Sequence, residues 1–318
     1  MHRTYRLLSS AALSFVALAS LGAQVAPSTP LAPYAPDART PLLTSVAWLA
    51  QHRADPGLVL LHVGAPADFA SAHIEGARQL VVGDITVTDT AKKLTAEMPS
   101  PAELRARLAA YGVTDQSRVV VYVAKDMHYQ SARVLFALFY AGLGDRATWL
   151  DGGLPAWIAA GQPVVASTAA AAAAATSAPL SPLKIRNFVV DADFVKASIG
   201  KAGVSIVDAR DSAFYSGAKQ GGTPQAPHRA GHIPSAHSLP WTTLYDEKMQ
   251  LKPRDELARL FAAAGVGAKD VIVGYCHSGQ QATAMLLAAR SLGYSVLLYD
   301  GSYQEWSAKV ELPVEGGR

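Results

Sequence analysis

The stretch "LARLFAAAGVGAKDVIVGYC", residues 257–276, decides the fold. Leu257, Leu260, Phe261 and Ala264 recur at helical spacing, Gly265-Val266-Gly267 reads as a turn, and Val271-Ile272-Val273 is the short apolar run of a buried strand. The same order of amphipathic helix, Gly-Val turn and strand stands earlier as "LRARLAAYGVTDQSRVVVYV", residues 104–123. Working outward, "LVLLHVGAPADFASAHIEGARQL" (58–80) is echoed by "VSIVDARDSAFYSG" (204–217) followed by Gly231-His232-Ile233-Pro234-Ser235-Ala236. "ATWLDGGLPAW" (147–157) is echoed by "VLLYDGSYQEW" (296–306). Each half alternates apolar strands with helical segments, the pattern of an α/β domain built on a mainly parallel sheet flanked by helices. The chain is a duplicated domain, and its repeat is far longer than that of a solenoid.

Composition supports this reading. Of 318 residues, 50% are hydrophobic and 17% charged, and the net charge is +3, which is ordinary for a globular protein. No run of Lys or Arg stands out, so nucleic-acid binding has no support. The first residues differ from the rest. His2, Arg3 and Arg6 precede the apolar stretch Leu7 to Leu21, and small residues follow around Leu21-Gly22-Ala23. This is the pattern of a secretory signal peptide over residues 1–23, and it predicts export to an envelope compartment, with no membrane attachment after cleavage. The expected organisation is then a first domain over 40–165, an Ala/Ser/Pro-rich linker over 166–183 and a second domain over 184–318.

Cys276 is the chain's single cysteine, and it stands at the mouth of the strand ending at Tyr275. In an exported protein a lone cysteine cannot pair within its own chain, which points to a reactive thiol. The carboxyl end of a parallel strand is where α/β sheets place their ligands. The loop that follows turns into a helix expected to begin near Gln281 or Ala282. Such a loop directs backbone N–H groups inward, and the helix N-terminus adds partial positive charge; both favour thiolate over thiol. Gly279 lets the backbone curl closely, and His277, Ser278, Gln280 and Gln281 supply further polar groups. The loop is a cradle for an anion.

These stretches resemble the tandem-domain rhodanese-like sulfurtransferases, the thiosulfate and 3-mercaptopyruvate sulfurtransferases. The resemblance runs from about residue 42 to the C-terminus. It is carried by Asp208-Ala209-Arg210 with Gly231 to Ala236 after it, by Tyr275 to Ala282, and by Leu298-Tyr299-Asp300-Gly301-Ser302-Tyr303-Gln304-Glu305-Trp306. It implies two tandem rhodanese-like domains, of which the second is catalytic. It also implies transfer of a sulfane sulfur from a small donor to cyanide, a thiol or a thiol-containing protein through a Cys276 persulfide. No metal or organic cofactor is implied. The first domain, with no cysteine, is expected from the resemblance to be a non-catalytic copy that packs against the second and helps close its cleft.

Two departures from the family pattern bear on the donor. Phe214 stands where many members carry an arginine that holds the donor's anionic end, so Arg210 or Arg229 would have to take that duty. For Arg210 the competing assignment is an ion pair with Asp208 or Asp211. The loop also begins Cys-His, whereas the mercaptopyruvate enzymes more often begin Cys-Gly. Asp208, His232 and Asp300-Gly301 are expected to be structural.

A cysteine phosphatase would need Cys-x5-Arg to grip phosphate, and six positions after Cys276 stands Ala282. A metal site would draw on Cys276, His277, His228, His232 and His237, but these lack metal-ligand spacing. The remaining alternative is an exported sulfur carrier or redox sensor, loaded by a protein partner.

Overall fold

The computed structural model describes residues 42–125, 128–167, 179–224 and 226–316. The expected signal segment and residues 168–178 of the expected linker lie outside the described residues. The first half runs β1 (Leu43–Thr44), α1 (Val46–His52), β2 (Leu58–Val63), α2 (Pro66–Ser71), β3 (Arg78–Leu80), β4 (Val87–Asp89), β5 (Leu94–Glu97), α3 (Pro101–Ala110), β6 (Arg118–Val123), α4 (His128–Tyr140), β7 (Ala147–Leu150) and α5 (Gly153–Ala159). The second half runs β8 (Val189–Val190), α6 (Ala192–Ser198), β9 (Val204–Asp208), α7 (Ser212–Tyr215), β10 (Gly222–Thr223), β11 (Ala226–Pro227), β12 (His237–Ser238), α8 (Arg254–Ala263), β13 (Val271–Tyr275), α9 (Gln280–Leu292), β14 (Ser295–Tyr299) and α10 (Ser302–Ala308).

The helix–turn–strand units of the sequence form α3–β6 and α8–β13. Ser100 and Glu103 close a reciprocal cap at the start of α3, where Pro101 presets the first turn. Leu104 and Leu108 of α3, like Leu257 and Phe261 of α8, are the buried i, i+4 pairs that the periodicity requires.

Both halves close the same five-stranded sheet, β1-β7-β6-β2-β3 and β8-β14-β13-β9-β12, with every neighbouring pair parallel. Parallel strands buried on both faces explain the near-continuous apolar runs in β2, β6, β9 and β13. The outer faces of the two sheets carry separate cores, Leu60, Val120 and Trp157 in one and Ile206, Val273 and Trp306 in the other. Their inner faces share one continuous core, in which α4 packs against α9 with α3 and α8 beside them. Edge-to-face pairs tie the halves together: Tyr129 with Trp241 at 5.5 Å and Trp149 with Tyr245 at 5.9 Å between centroids.

The duplication reaches single hydrogen bonds. The Tyr122 hydroxyl accepts from Ile74 N, and the Tyr275 hydroxyl accepts from Ile233 N, both at 3.2 Å. His73 stacks on Phe69 and His232 on Tyr215, each with its Nδ1–H on the backbone oxygen of its stacking partner at 2.8 Å. His232 thus has the structural role expected of it, fixing a loop beside the second sheet.

Candidate active site

β13 ends at Tyr275, and Cys276 stands at the carboxyl end of the central strand with a residue exposure of 1%. Gly279 then takes a left-handed conformation (φ +81°) and α9 starts at Gln280, one residue earlier than the sequence suggested. The backbone N–H groups of Ser278, Gln281 and Ala282 lie close enough to the sulfur to favour its anionic form. The cradle therefore exists, and Ala282, which the sequence reading left out, is part of it. Its effect on the thiol differs from expectation. Burial pushes the Cys276 thiol above its ordinary value, and the three N–H groups offset only part of that. A sequence shows donors but not the depth at which the sulfur lies.

The loop is held from behind by α10. Ser302, itself at φ +51°, accepts from Cys276 N with its hydroxyl at 3.2 Å and donates to Tyr299 O at 2.9 Å. Tyr303 N and Gln304 N donate to the carbonyls of Cys276 and His277 at 3.0 and 2.9 Å. Gly279 faces Asp300, whose carbonyl oxygen would lie 3.0 Å from any Cβ placed there.

Of the two alternatives for Arg210, the structure shows the ion pair. Its guanidinium, 1% exposed, donates from Nε to both oxygens of Asp208 and from Nη2 to Asp208 at 2.5 Å and to Gly231 O at 2.8 Å. Burial works against this cation, but Asp208 outweighs it and holds Arg210 above its ordinary value. The guanidinium also lies 4.0 Å over the Tyr303 ring. Arg229 is fully engaged elsewhere. It donates to the backbone oxygens of Trp306, Ser307, Lys309 and Leu312 and so caps the end of α10. The possibility that Arg229 holds a donor is therefore corrected: its Nε, Nη1 and Nη2 all donate to carbonyls at and just beyond the end of α10.

The site's mouth is built by the insertion that carries β10 and β11. It brings His228 to 5.9 Å from the His277 ring, while Phe214 meets His277 edge-on at 4.6 Å. Gly221 allows this approach, since a Cβ there would lie 3.0 Å from His277 Nδ1 and 3.1 Å from His228 Nδ1. Burial, then the Arg210 charge, lowers His277 to about 4 and lowers His228 as well, so both rings are neutral at pH 7. His228 Nδ1, the Tyr303 hydroxyl and the side-chain oxygens of Gln280 and Gln281 are buried without hydrogen-bond partners. Ser278 is half-buried beside them. The structure thus gathers Cys276, His277, Ser278, Gly279, Gln280, Gln281 and, through its charge, Arg210. It adds His228, Tyr303 and Ser302, none of which sequence reasoning placed beside the thiol.

The first half lacks this chemistry. Strand register aligns the pair His62 and Tyr122 with the pair Asp208 and Tyr275, which puts Val123 in the place of Cys276 and Gly64 in that of Arg210.

Comparison with known proteins agrees with this architecture. The family model of the rhodanese-like domain matches residues 45–160 and again 191–309. The 3-mercaptopyruvate sulfurtransferase of Escherichia coli (strain K12) is 29% identical over 280 residues, covering 84% of this chain and 95% of that one. The thiosulfate sulfurtransferase of Pseudomonas aeruginosa is 27% identical over 283 residues, covering 86% and 97%. Among solved structures, the anaerobic ergothioneine biosynthesis enzyme from Chlorobium limicola, in complex with trimethyl histidine, superimposes with a TM-score of 0.77. At 22% identity over 87% of this chain and 70% of that one, it shows the fold alone. The chain belongs to the rhodanese-like family in its two-domain form. It is a sulfurtransferase.

Proposed function

We propose that the protein is an exported enzyme that takes a sulfane sulfur from thiosulfate or 3-mercaptopyruvate onto Cys276 and passes it to cyanide or a thiol. The observation that supports this best is the convergence of the Ser278, Gln281 and Ala282 N–H groups on the one thiol of the chain. In the first step the Cys276 thiolate attacks the outer sulfur of thiosulfate or the thiol sulfur of 3-mercaptopyruvate. With thiosulfate the S–S bond breaks and sulfite leaves with the bonding pair. With 3-mercaptopyruvate the C–S bond breaks and the thiol proton ends on the carbon of the leaving pyruvate. In the second step cyanide or a thiolate takes the outer sulfur of the persulfide, and the Cys276 thiolate returns. The N–H cradle stabilises negative charge on the sulfur in both resting forms.

For the donor's anionic end we assign the loop residues 277–281 and the field of Arg210, with the unpartnered Tyr303 hydroxyl and His228 Nδ1 beside them. The deep burial of Cys276 speaks against the sensor alternative, since sensor thiols are exposed and of low pKa. Export rests on the n-region and apolar stretch of residues 1–23, and N-terminal sequencing of protein from a cell envelope fraction checks it.

The test is intact-protein mass spectrometry after exposure to each donor in turn. One sulfur atom gained by the wild type, lost on adding cyanide and absent from Cys276→Ser, is the expected result. No gain from either donor would overturn the reading in favour of a carrier loaded by a protein partner.

A further inference from the structure

We propose that Arg133, on α4 of the first domain, is a positioning residue for the thiol loop of the second. This role rests on Cys276 being the reacting sulfur, and it extends the site across the domain boundary.

Arg133 is fully buried, and so is nearly all of its partner Asp300. Nη2 pairs with Asp300 Oδ1 at 2.7 Å and donates to Ala96 O at 2.5 Å. The other carboxylate oxygen of Asp300 accepts from Met98 N at 2.6 Å. One guanidinium and one carboxylate thus clasp β5 and the residue that follows it, in the first domain, to the end of β14, in the second. The clasp lies under the thiol loop. The point where a Cβ on Gly279 would stand is 3.0 Å from Asp300 O, 3.1 Å from Asp300 Oδ1 and 3.4 Å from Arg133 Nη1. Arg133 Nη1 and Nε are buried and make no hydrogen bond. Gly279 joins Ser278 to the first turn of α9, so its position sets the aim of the Ser278, Gln281 and Ala282 N–H groups.

The duplication supplies an internal control. Asp151 occupies the place of Asp300 in the first half, each opening an Asp-Gly turn six residues before the tryptophan that ends the repeated motif, Trp157 or Trp306. It too reaches across, accepting from Leu251 N at 3.3 Å. Counting back from Gly142 and Gly293 at the ends of α4 and α9, the position that matches Arg133 is Ala284. The guanidinium is therefore present on the side with a thiol and replaced by a methyl on the side without one. Mere stapling of the halves would need it equally on both sides. Glu97, Glu305 and Lys92 stand near this cluster, and the charges of Asp300, Glu305, Arg133 and Lys92 all act on Glu97.

The experiment compares wild type, Arg133→Lys, Arg133→Gln and Asp151→Asn in the full chain. For each, melting temperature and the pH profile of iodoacetamide alkylation of Cys276 are measured. Alkylation at pH 8 is expected to fall at least threefold in Arg133→Gln, with the profile moved to higher pH, and to lie between the two in Arg133→Lys. Asp151→Asn is expected to lower the melting temperature and leave the profile on that of the wild type. A profile unchanged in Arg133→Gln, whatever its melting temperature, would overturn the proposal. If Arg133→Gln does not fold, Arg133→Lys decides by the same profile: slower alkylation supports the role and an unchanged profile overturns it. Alkylation needs no sulfur donor, so a failure of the persulfide reading shows separately, as absent sulfur gain in the wild type.

Discussion

Around Cys276 two physical tendencies oppose each other, and the structure ranks them. Three backbone N–H groups favour the thiolate, and a residue exposure of 1% disfavours it more. In the donor-free enzyme the thiol should therefore titrate above the free value of about 8.5. Alkylation of reduced protein across pH 6–11 checks this (a range set by the ~8.5 midpoint of a free thiol), and an apparent pKa near 6 would mean that the N–H cradle outweighs burial. The sign for stability follows. A thiol whose proton is held more tightly when folded contributes stability that is complete below the unfolded pKa and lost as pH rises through the folded one. The place of the thiol was legible in the sequence, because a lone cysteine among small polar residues directly after an apolar run falls at the carboxyl end of a parallel strand. His228 and Tyr303 were not. They reach the site through a hairpin insertion and through the first turn of α10, and neither spacing nor residue type announces such a meeting.

At the scale of elements, the junction of β13 with α9 carries the proposed chemistry, and Gly279 is its weak point. A left-handed φ of +81° and an Asp300 carbonyl 3.0 Å from a Cβ both oppose any side chain there. Gly279→Ala is expected to cost about 1–2 kcal/mol from the conformation alone. It should also slow alkylation of Cys276, because relief of the contact turns the N–H groups away from the sulfur. Chemical denaturation together with alkylation rate checks both effects, and loss of stability with no change in rate would uncouple the turn from the cradle. Element types were readable in advance, since period and capping agree with each other in α3 and the period alone marks α8. The register of β13 against β9 was not, and it is register that sets Arg210 and Asp208 beside Tyr275. The same limit explains Arg229: a basic residue in a Gly-rich insertion gives no hint that a helix end lies within its reach.

For the whole molecule, the two halves cannot be treated as a working domain and a passenger. Their inner sheet faces bury one common core, and the Asp300 clasp joins them beneath the thiol loop. Glu97 lies at this boundary. Burial, then the charges of Asp300 and Glu305, raise it to about 8 from 4.5, against the pull of Arg133 and Lys92. The folded state therefore holds a proton that the unfolded state has lost. The resulting contribution is full below 4.5 and disappears as pH rises through about 8, so stability should fall over that window. Glu97→Gln should flatten the slope, which denaturation midpoints at pH 5, 7 and 9, bracketing that window, will show.

The duplication was readable from the sequence; the fusion of the two cores was not, because the apolar stripes of α4 and α9 fit an internal core as well as each other. Fusion makes a further prediction. Residues 168–178, rich in Ala, Ser and Thr, join the halves, while Leu180 just beyond is buried and Ser181 is bonded to Asp115 at 2.6 and 2.9 Å. A protease site inserted within 168–178 and cut after folding removes the covalent link and leaves the shared core intact. The nicked halves should elute together in size-exclusion chromatography and keep wild-type alkylation of Cys276, since the contacts that aim the cradle, Arg133 with Asp300 and Asp300 with Met98, cross the interface rather than the linker. Separation of the halves on nicking, with the second still alkylated at the wild-type rate, would show that the thiol loop takes its shape from its own domain alone.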